Sequence, residues 1–205
     1  MKGLYDMDDP SNEQHLISQA QAGNAHALSA LYQAYVHAIF RYVSYRVESD
    51  MVAEDITADV FLRMVREIGA YQPRGFSFGA WLFAIARNRI HDHYRAKRHH
   101  THTALSDHHP SDDTDPFDTL ANHEERAQLR AALAQLPPDY QDVLILRFMH
   151  GLSYSQVARI MGKSELALRT IQHRALKSLG KLLGMTSHDK PRSYLRGGSD
   201  DHEPE

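Results

Sequence analysis

Three features of the chain predict an all-α fold, two helical domains joined by a flexible acidic linker. Apolar residues recur at steps of three and four through most of the length, as on amphipathic helices. No period-two alternation of useful length interrupts them. Between His99 and Thr119 the periodicity stops in HHTHTALSDHHPSDDTDPFDT, a composition too polar to bury a core. The expected layout is a disordered N-terminus at 1–10, a helical bundle at 11–98, the linker at 99–119, a second helical unit at 120–184 and a disordered tail at 185–205.

The elements follow in order. Ser11-Asn-Glu-Gln14 reads as a capping box for a short helix with Leu16, Ile17 and Ala20 inward. Gly23 suits its stop, and Asn24 caps the next helix, whose stripe is Leu28, Leu31, Tyr35, Ile39, Val43 and Val47. Ser49 or Asp50 starts a third, with Val52, Ile56, Val60, Phe61, Met64, Val65 and Ile68 inside and Glu54, Asp55 and Asp59 outside. Pro73 and Gly75 break the pattern, and Ser77 caps the helix that carries Trp81, an expected core anchor. Past the linker, a helix at 120–136 places Leu129, Leu133 and Leu136 inward, and Pro137-Pro138 opens another that runs to His150. Ser153-Tyr-Ser-Gln156 is a further capping box before a short helix, the turn Gly162-Lys-Ser164 and a longer basic helix. Short helix, glycine-containing turn and longer helix is the helix-turn-helix order.

Composition narrows the function. A formal net charge of −3 hides strong segregation. Glu48–Glu67 carries six acids against two arginines, Ser106–Glu125 seven acids and neither Lys nor Arg, and Lys163–Lys181 five bases against one acid. In Trp81–Arg98, five bases (Arg87, Arg89, Arg95, Lys97, Arg98) face one acid, Asp92. At helical spacing Leu82, Ile85, Ala86 and Ile90 share one side, and Asn88, His91, Asp92 and Arg95 share another. Taken alone, that polar side is either a solvated face or a polyanion surface. The chain has no cysteine, which excludes disulfide scaffolds, thiolate metal sites and cysteine nucleophiles. Without an apolar run near the ~18 residues of a membrane span or a signal-peptide core, a cytoplasmic protein with no membrane insertion is expected.

The residues resemble a bacterial RNA polymerase sigma factor of the sigma-70 family, extracytoplasmic-function (ECF) type. Four stretches carry the resemblance: Gly23–Tyr45, AEDITADVFLR at 53–63, WLFAIARNRIHDHYR at 81–95, and LPPDYQDVLILRFMHGLSYSQVARIMGKSELALRTIQHRALKSL at 136–179. The resemblance implies a non-enzymatic protein without a cofactor that binds core polymerase, recognises −35 and −10 promoter elements and promotes DNA melting. The first unit corresponds to sigma region 2 and the second to region 4. Glu54, Asp55 and Asp59 would dock on the clamp of the largest polymerase subunit, and the second unit on the other large subunit. For the −10 element the implied residues are Tyr71, Phe76, Arg87, Asn88, His91, Asp92, Arg95 and Arg98. Asn88 and Asp92 would read bases there, the arginines and His91 would hold phosphates, and Tyr71 and Phe76 would wall a base pocket. For the −35 element they are Lys163, Ser164, Arg169, Thr170, His173 and Arg174, with Ile171 inside and Gln172 outside the reading helix. The acidic linker would thread the polymerase cleft as an RNA-like polyanion, and an anti-sigma factor is an implied further partner.

Two other readings start from the same residues. An autonomous helix-turn-helix regulator would explain the C-terminal unit but leaves 53–63 and 81–98 without a role. A metal-responsive factor would use the dense histidines His91, His93, His99, His100, His102, His108 and His109, yet their spacing matches no closed site. A hydrolase built on the same histidines and carboxylates would need a rigid constellation, which a linker cannot hold.

Overall fold

The computed structural model describes residues 10–73, 77–100 and 128–184, and these are helical with no strand among them. The first unit contains α1 (Pro10–Gln21), α2 (Ala25–Ser44), α3 (Asp50–Glu67) with a 3-10 turn at Ile68–Ala70, and α4 (Phe78–His100). The second contains α5 (128–134), α6 (Pro138–Leu144) running into a π-helical turn at Ile145–Met149, α7 (Tyr154–Met161) and α8 (Glu165–Leu182). The N-terminal ten-residue segment apart from Pro10, the linker and the tail fall outside the described residues.

Most helix starts are where the side chains allow. Asn24 accepts from the amides of His26 and Ala27, Ser49 from Val52, Ser77 from Ala80 and Ser164 from Ala167, each satisfying donors with no intrahelical partner. Ser153 and Gln156 form the reciprocal box expected of them. Gly162, at φ +63°, makes the left-handed turn between α7 and α8 that an L side chain resists. Ser11 is the exception: α1 already begins at Pro10, so Ser11 is inside the helix. Glu13 instead accepts a bond from the Tyr35 hydroxyl of α2.

Helices α1 to α4 pack around Leu16, Leu31, Ile39, Val60, Met64, Leu82 and Ile90, all essentially without exposure. Tyr71, Phe78 and Trp81 add a ring cluster, with centroids 5.0–5.4 Å apart. Trp81 is half-buried at the edge of that cluster. In the second unit α6 and α7 pack on α8 over Val143, Leu146, Val157, Leu168 and Ala175. Val65, expected inside, is about half exposed. Gln172 takes the inward place on α8 that was expected for Ile171, which is only half-buried.

The two units also touch. Helix α4 packs against α7, and one continuous apolar cluster runs through both. A polar seam centred on Asp142 lies beside it.

Candidate nucleic-acid interface

Helix α4 separates its faces as its periodicity requires. Leu82, Ile85, Ala86 and Ile90 are buried, while Asn88, Asp92, Arg95 and Arg98 are exposed. Asp92 lies 3.4 Å from Arg95 one turn on, a pairing that orients both without removing them from solvent. Arg98 donates to the Tyr94 carbonyl at 3.3 Å. An amide and a carboxylate flanked by guanidinium groups can match base edges and phosphates together.

The rest of the basic set is less free than its count implies. Lys97 is 2.7 Å and His93 3.3 Å from Glu48 in the α2–α3 turn. Burial pushes the Glu48 carboxyl up, but hydrogen bonds from Lys97 and His93 outweigh it and leave the group below its ordinary value. Arg87 donates from Nε to Asp142 at 2.9 Å and from a terminal nitrogen to Asp139 at 3.2 Å. His91 is half-buried with Nε2 3.9 Å from Asp142. Its burial, followed by the charges of Arg87 and Arg46, lowers its pKa.

Tyr71 is a ring of the first unit's core, and its carbonyl accepts from Gln21 Nε2 at 2.7 Å. Burial and the nearby Glu13 charge push its phenol up to about 12. Phe76, its expected companion in a base pocket, lies outside the described residues.

On the second unit, Arg169, Thr170, His173 and Arg174 are all exposed along one side of α8. Ser164 is occupied as the N-cap of that helix. Lys163, in the turn before it, reaches Asp139 at 3.1 Å. For Asp139, burial opposes ionisation, and the bonds from Lys163 and Arg87 overcome it, so its pKa is lowered. Tyr154, at the first position of α7, lies under two guanidinium groups: Arg147 at 4.0 Å and Arg169 at 4.3 Å from the ring centre. Arg147 also donates to the Leu152 carbonyl. Both were invisible in the sequence beyond the short spacing of an aromatic and two arginines around the helix-turn-helix.

Helix α3 exposes Glu54, Asp55 and Asp59 as its pattern requires. Beside them it also exposes Met51, Leu62 and Val65, each over half accessible, so its outer surface is acidic and apolar together. Large apolar side chains left outside a core with charges around them are the composition of a protein-docking surface. Leu166 on α8, 78% exposed, is a similar feature of the second unit. Among the described residues no cluster of three or more metal-binding side chains occurs, and the histidines from His102 to His109 lie outside them. No described helix is long and apolar enough to cross a membrane.

Comparison with known proteins agrees with this division. The family pattern Sigma-70 region 2 matches residues 31–100, and Sigma-70, region 4 matches residues 126–179. The chain is 38% identical over 177 residues to the ECF RNA polymerase sigma factor BldN of Streptomyces coelicolor, covering 85% of this chain and 67% of that one. It is 31% identical to the RNA polymerase sigma factor CarQ of Myxococcus xanthus, over 79% of this chain and 92% of CarQ. Among solved structures, CnrH in complex with the cytosolic domain of CnrY superposes with a TM-score of 0.66 at 24% identity, over 85% of this chain and 99% of that one. Bartonella quintana RpoE in complex with the anti-sigma factor NepR gives 0.68 at 20% identity, over 76% and 96%.

Proposed function

Because the chain belongs to the ECF sigma factors of the sigma-70 family, which direct RNA polymerase to promoters, we propose how its own residues divide that work. Region 2 reads the −10 element through α4, and region 4 reads the −35 element through α8. The observation that carries this is the exposed polar face of α4, which presents Asn88, Asp92, Arg95 and Arg98 while the opposite face is core.

Asn88 and Asp92 contact bases of the opened strand, and Arg87, His91, Arg95 and Arg98 hold its phosphates. No bond of the DNA is broken. Stacking and pairing lost from the duplex are offset by protein contacts to the displaced bases, for which Phe76 supplies the aromatic wall, the Tyr71 ring being taken up by the core. On α8, Arg169, Thr170, His173 and Arg174 face the major groove of intact duplex, and Lys163 and Ser164 lie toward the backbone at the helix start. The acidic and apolar surface of α3 supports docking on the basic clamp of polymerase, with Glu54, Asp55 and Asp59 steering the encounter. The second unit takes the other large subunit. The linker occupies the cleft between, inside the cytoplasm. CnrH and RpoE are each captured with a protein partner, CnrY and the anti-sigma factor NepR, and a partner of that kind is proposed for this chain as well.

Run-off transcription with core polymerase on promoters of the host tests the assignment. The full chain initiates at defined sites, and Asn88→Ala changes which −10 sequences are used, whereas Arg98→Ala weakens all promoters alike. An unchanged −10 preference for Asn88→Ala refutes the reading face. Tight, polymerase-independent duplex binding with no initiation favours an autonomous regulator instead.

A further inference from the structure

Helix α8 presents one exposed line of side chains. Leu166, Arg169, Thr170 and His173 follow one another at steps of three and four and are all exposed, which makes them neighbours on one face. Leu168, Gln172 and Ala175 hold the opposite side in the core. Three members of the line are polar or basic. Leu166, which leads it, is neither.

At 78% exposure Leu166 is the most exposed of the large apolar side chains among the described residues. A single leucine at a surface needs no explanation, but the place of this one does. It is the second residue of α8, whose start is fixed by the Ser164 hydroxyl accepting from the Ala167 amide at 3.2 Å. Side chains on a helix lean toward its N-terminus. Leu166 therefore projects ahead of Arg169, at the end that a recognition helix inserts into the major groove. It also stands apart from the other exposed apolar residues. Met51, Leu62 and Val65 lie on α3, and Leu176 and Leu182 come past the middle of α8. One turn on from Leu166, the Thr170 hydroxyl donates to the Leu166 carbonyl at 3.2 Å. That donor is spent inside the helix, so neither side chain has a proton left to give to a base.

We propose that Leu166 and Thr170 form an apolar tip that reads a thymine of the −35 element by covering its 5-methyl group. The proposal rests on the assignment of α8 to that element. It adds to the basic residues of the helix a reader that makes no hydrogen bond to DNA. In the major groove only thymine carries a methyl group, whereas cytosine presents an amino donor at its exposed edge. Covering the methyl removes apolar surface of both partners from water. Covering a cytosine amino group with leucine strands that donor without water or partner, which opposes binding of the wrong pair. Preference thus arises from an attraction and a rejection at one base pair.

The size of the attraction is set by one methyl group. Its burial corresponds to about fourfold in binding. Cytosine, which lacks the methyl and adds the donor, should cost about tenfold or more at the same position.

Deoxyuridine in place of thymidine removes the methyl and keeps the hydrogen bonds of the pair, so it isolates the contact. Holoenzyme assembled from the full chain and core polymerase is tested on a promoter located by its run-off start sites. Thymidines of the −35 element are replaced one at a time on both strands, and affinity is read by competition binding. Wild type should lose about fourfold at one position and little elsewhere. Leu166→Ala should lose about fourfold on the thymine duplex and no longer distinguish thymine from uracil there. Leu166→Met, close in volume, should keep most of the preference. Because Leu166 is mostly exposed, the alanine variant should leave Tm nearly unchanged. A wild type blind to uracil at every position, or a Leu166→Ala variant that keeps the full difference, overturns the proposal. Equal weakening by Leu166→Ala on every duplex places the side chain against polymerase and overturns it too. If base-pair substitutions across the −35 element leave binding unchanged, the assignment of α8 to that element falls and the methyl contact with it. If those substitutions weaken binding while uracil does not, only the methyl contact falls.

Discussion

Replacing Tyr154 removes a platform, not a DNA contact, and the size of the effect follows from its geometry. The ring lies between Arg147 and Arg169, 4.0 and 4.3 Å from their guanidinium carbons. Arg169 is exposed, so without the ring its long side chain samples many rotamers before reaching a base. A cation over an aromatic face at an exposed site contributes roughly 0.5–1 kcal/mol. Loss of the Arg169 stack should therefore weaken −35 binding by about two- to fivefold. The loss should concentrate at the base pair that Arg169 is proposed to read. Tyr154→Leu tests the platform, and Tyr154→Phe retains the ring without the hydroxyl. In competition binding with −35 duplexes altered one position at a time, Leu should flatten discrimination at one position while Phe behaves as wild type. Equal loss with Phe and Leu, or a uniform loss across all positions, would show that Tyr154 acts through the fold of region 4 alone and would refute the positioning argument.

Other expectations follow from individual contacts. An added Cβ at Gly79 would lie 2.9 Å from the ring of Tyr35, which is fixed by its bond to Glu13 and its edge contact with Phe78. Gly79→Ala should therefore lower Tm, overpacking of ~1–3 kcal/mol exceeding the ~1 kcal/mol gain in helix propensity. Gly180→Ala, with open space around it, should raise Tm by a few degrees. Burial, with help from Arg41, holds the His150 pKa down from 6.5 to about 4. The neutral ring is thus the folded form, and its contribution is complete above pH 6.5 and lost as pH falls toward 4. After allowance for its partial exposure this amounts to ~1–2 kcal/mol. His91 shifts in the same direction, while Asp139 and Glu48, lowered from 3.8 and 4.5, lose theirs only as pH falls below those values. Urea midpoints across pH 4–7 should slope for wild type and slope less for His150→Phe. Reversing Glu54, Asp55 and Asp59 to lysine should weaken core polymerase association about tenfold at low salt and much less at ~0.5 M, leaving Tm nearly unchanged.

The helices were legible because their signals are local. A serine or asparagine three residues before a free amide, a glycine in a left-handed turn, and apolar side chains at helical steps each act within one or two turns. The exposed polar faces of α4 and α8 followed from the same periodicity. What escaped were features fixed by partners distant in sequence. Val65 fits the apolar stripe of α3, yet α4 covers only part of that stripe and leaves Val65 beside Leu62 at the surface. Gln172 looks polar enough to face out, but the packing of α6 on α8 turns it inward. Arg46 and Asp142, separated by nearly half of the chain, carried no mark of pairing. Charge segregation along the sequence located the basic helices and missed which of their bases already had acidic partners.

That last point bears on how such a chain uses its charge. A count of bases treats every arginine and lysine on α4 and around α8 as available to DNA. The folded chain divides them into two sets. Arg95, Arg98, Arg169 and Arg174 stand in solvent. Arg87 and Lys163 meet on the single carboxylate of Asp139, and Arg87 continues to Asp142. The first set can attract DNA at long range in any conformation, because exposed charges act through the solvent field whether or not the units are apart. Of the second set, Arg87 is held by two carboxylates of the other unit, whereas Lys163 and Asp139 belong to the same unit. Solvent-facing bases and bases held by buried carboxylates can thus be told apart by the salt dependence of DNA binding. Neutralising Arg98 should reduce the salt slope of polymerase-free DNA binding by about one. Arg87→Gln should leave that slope nearly unchanged in the free chain, because its guanidinium is already paired with Asp139 and Asp142.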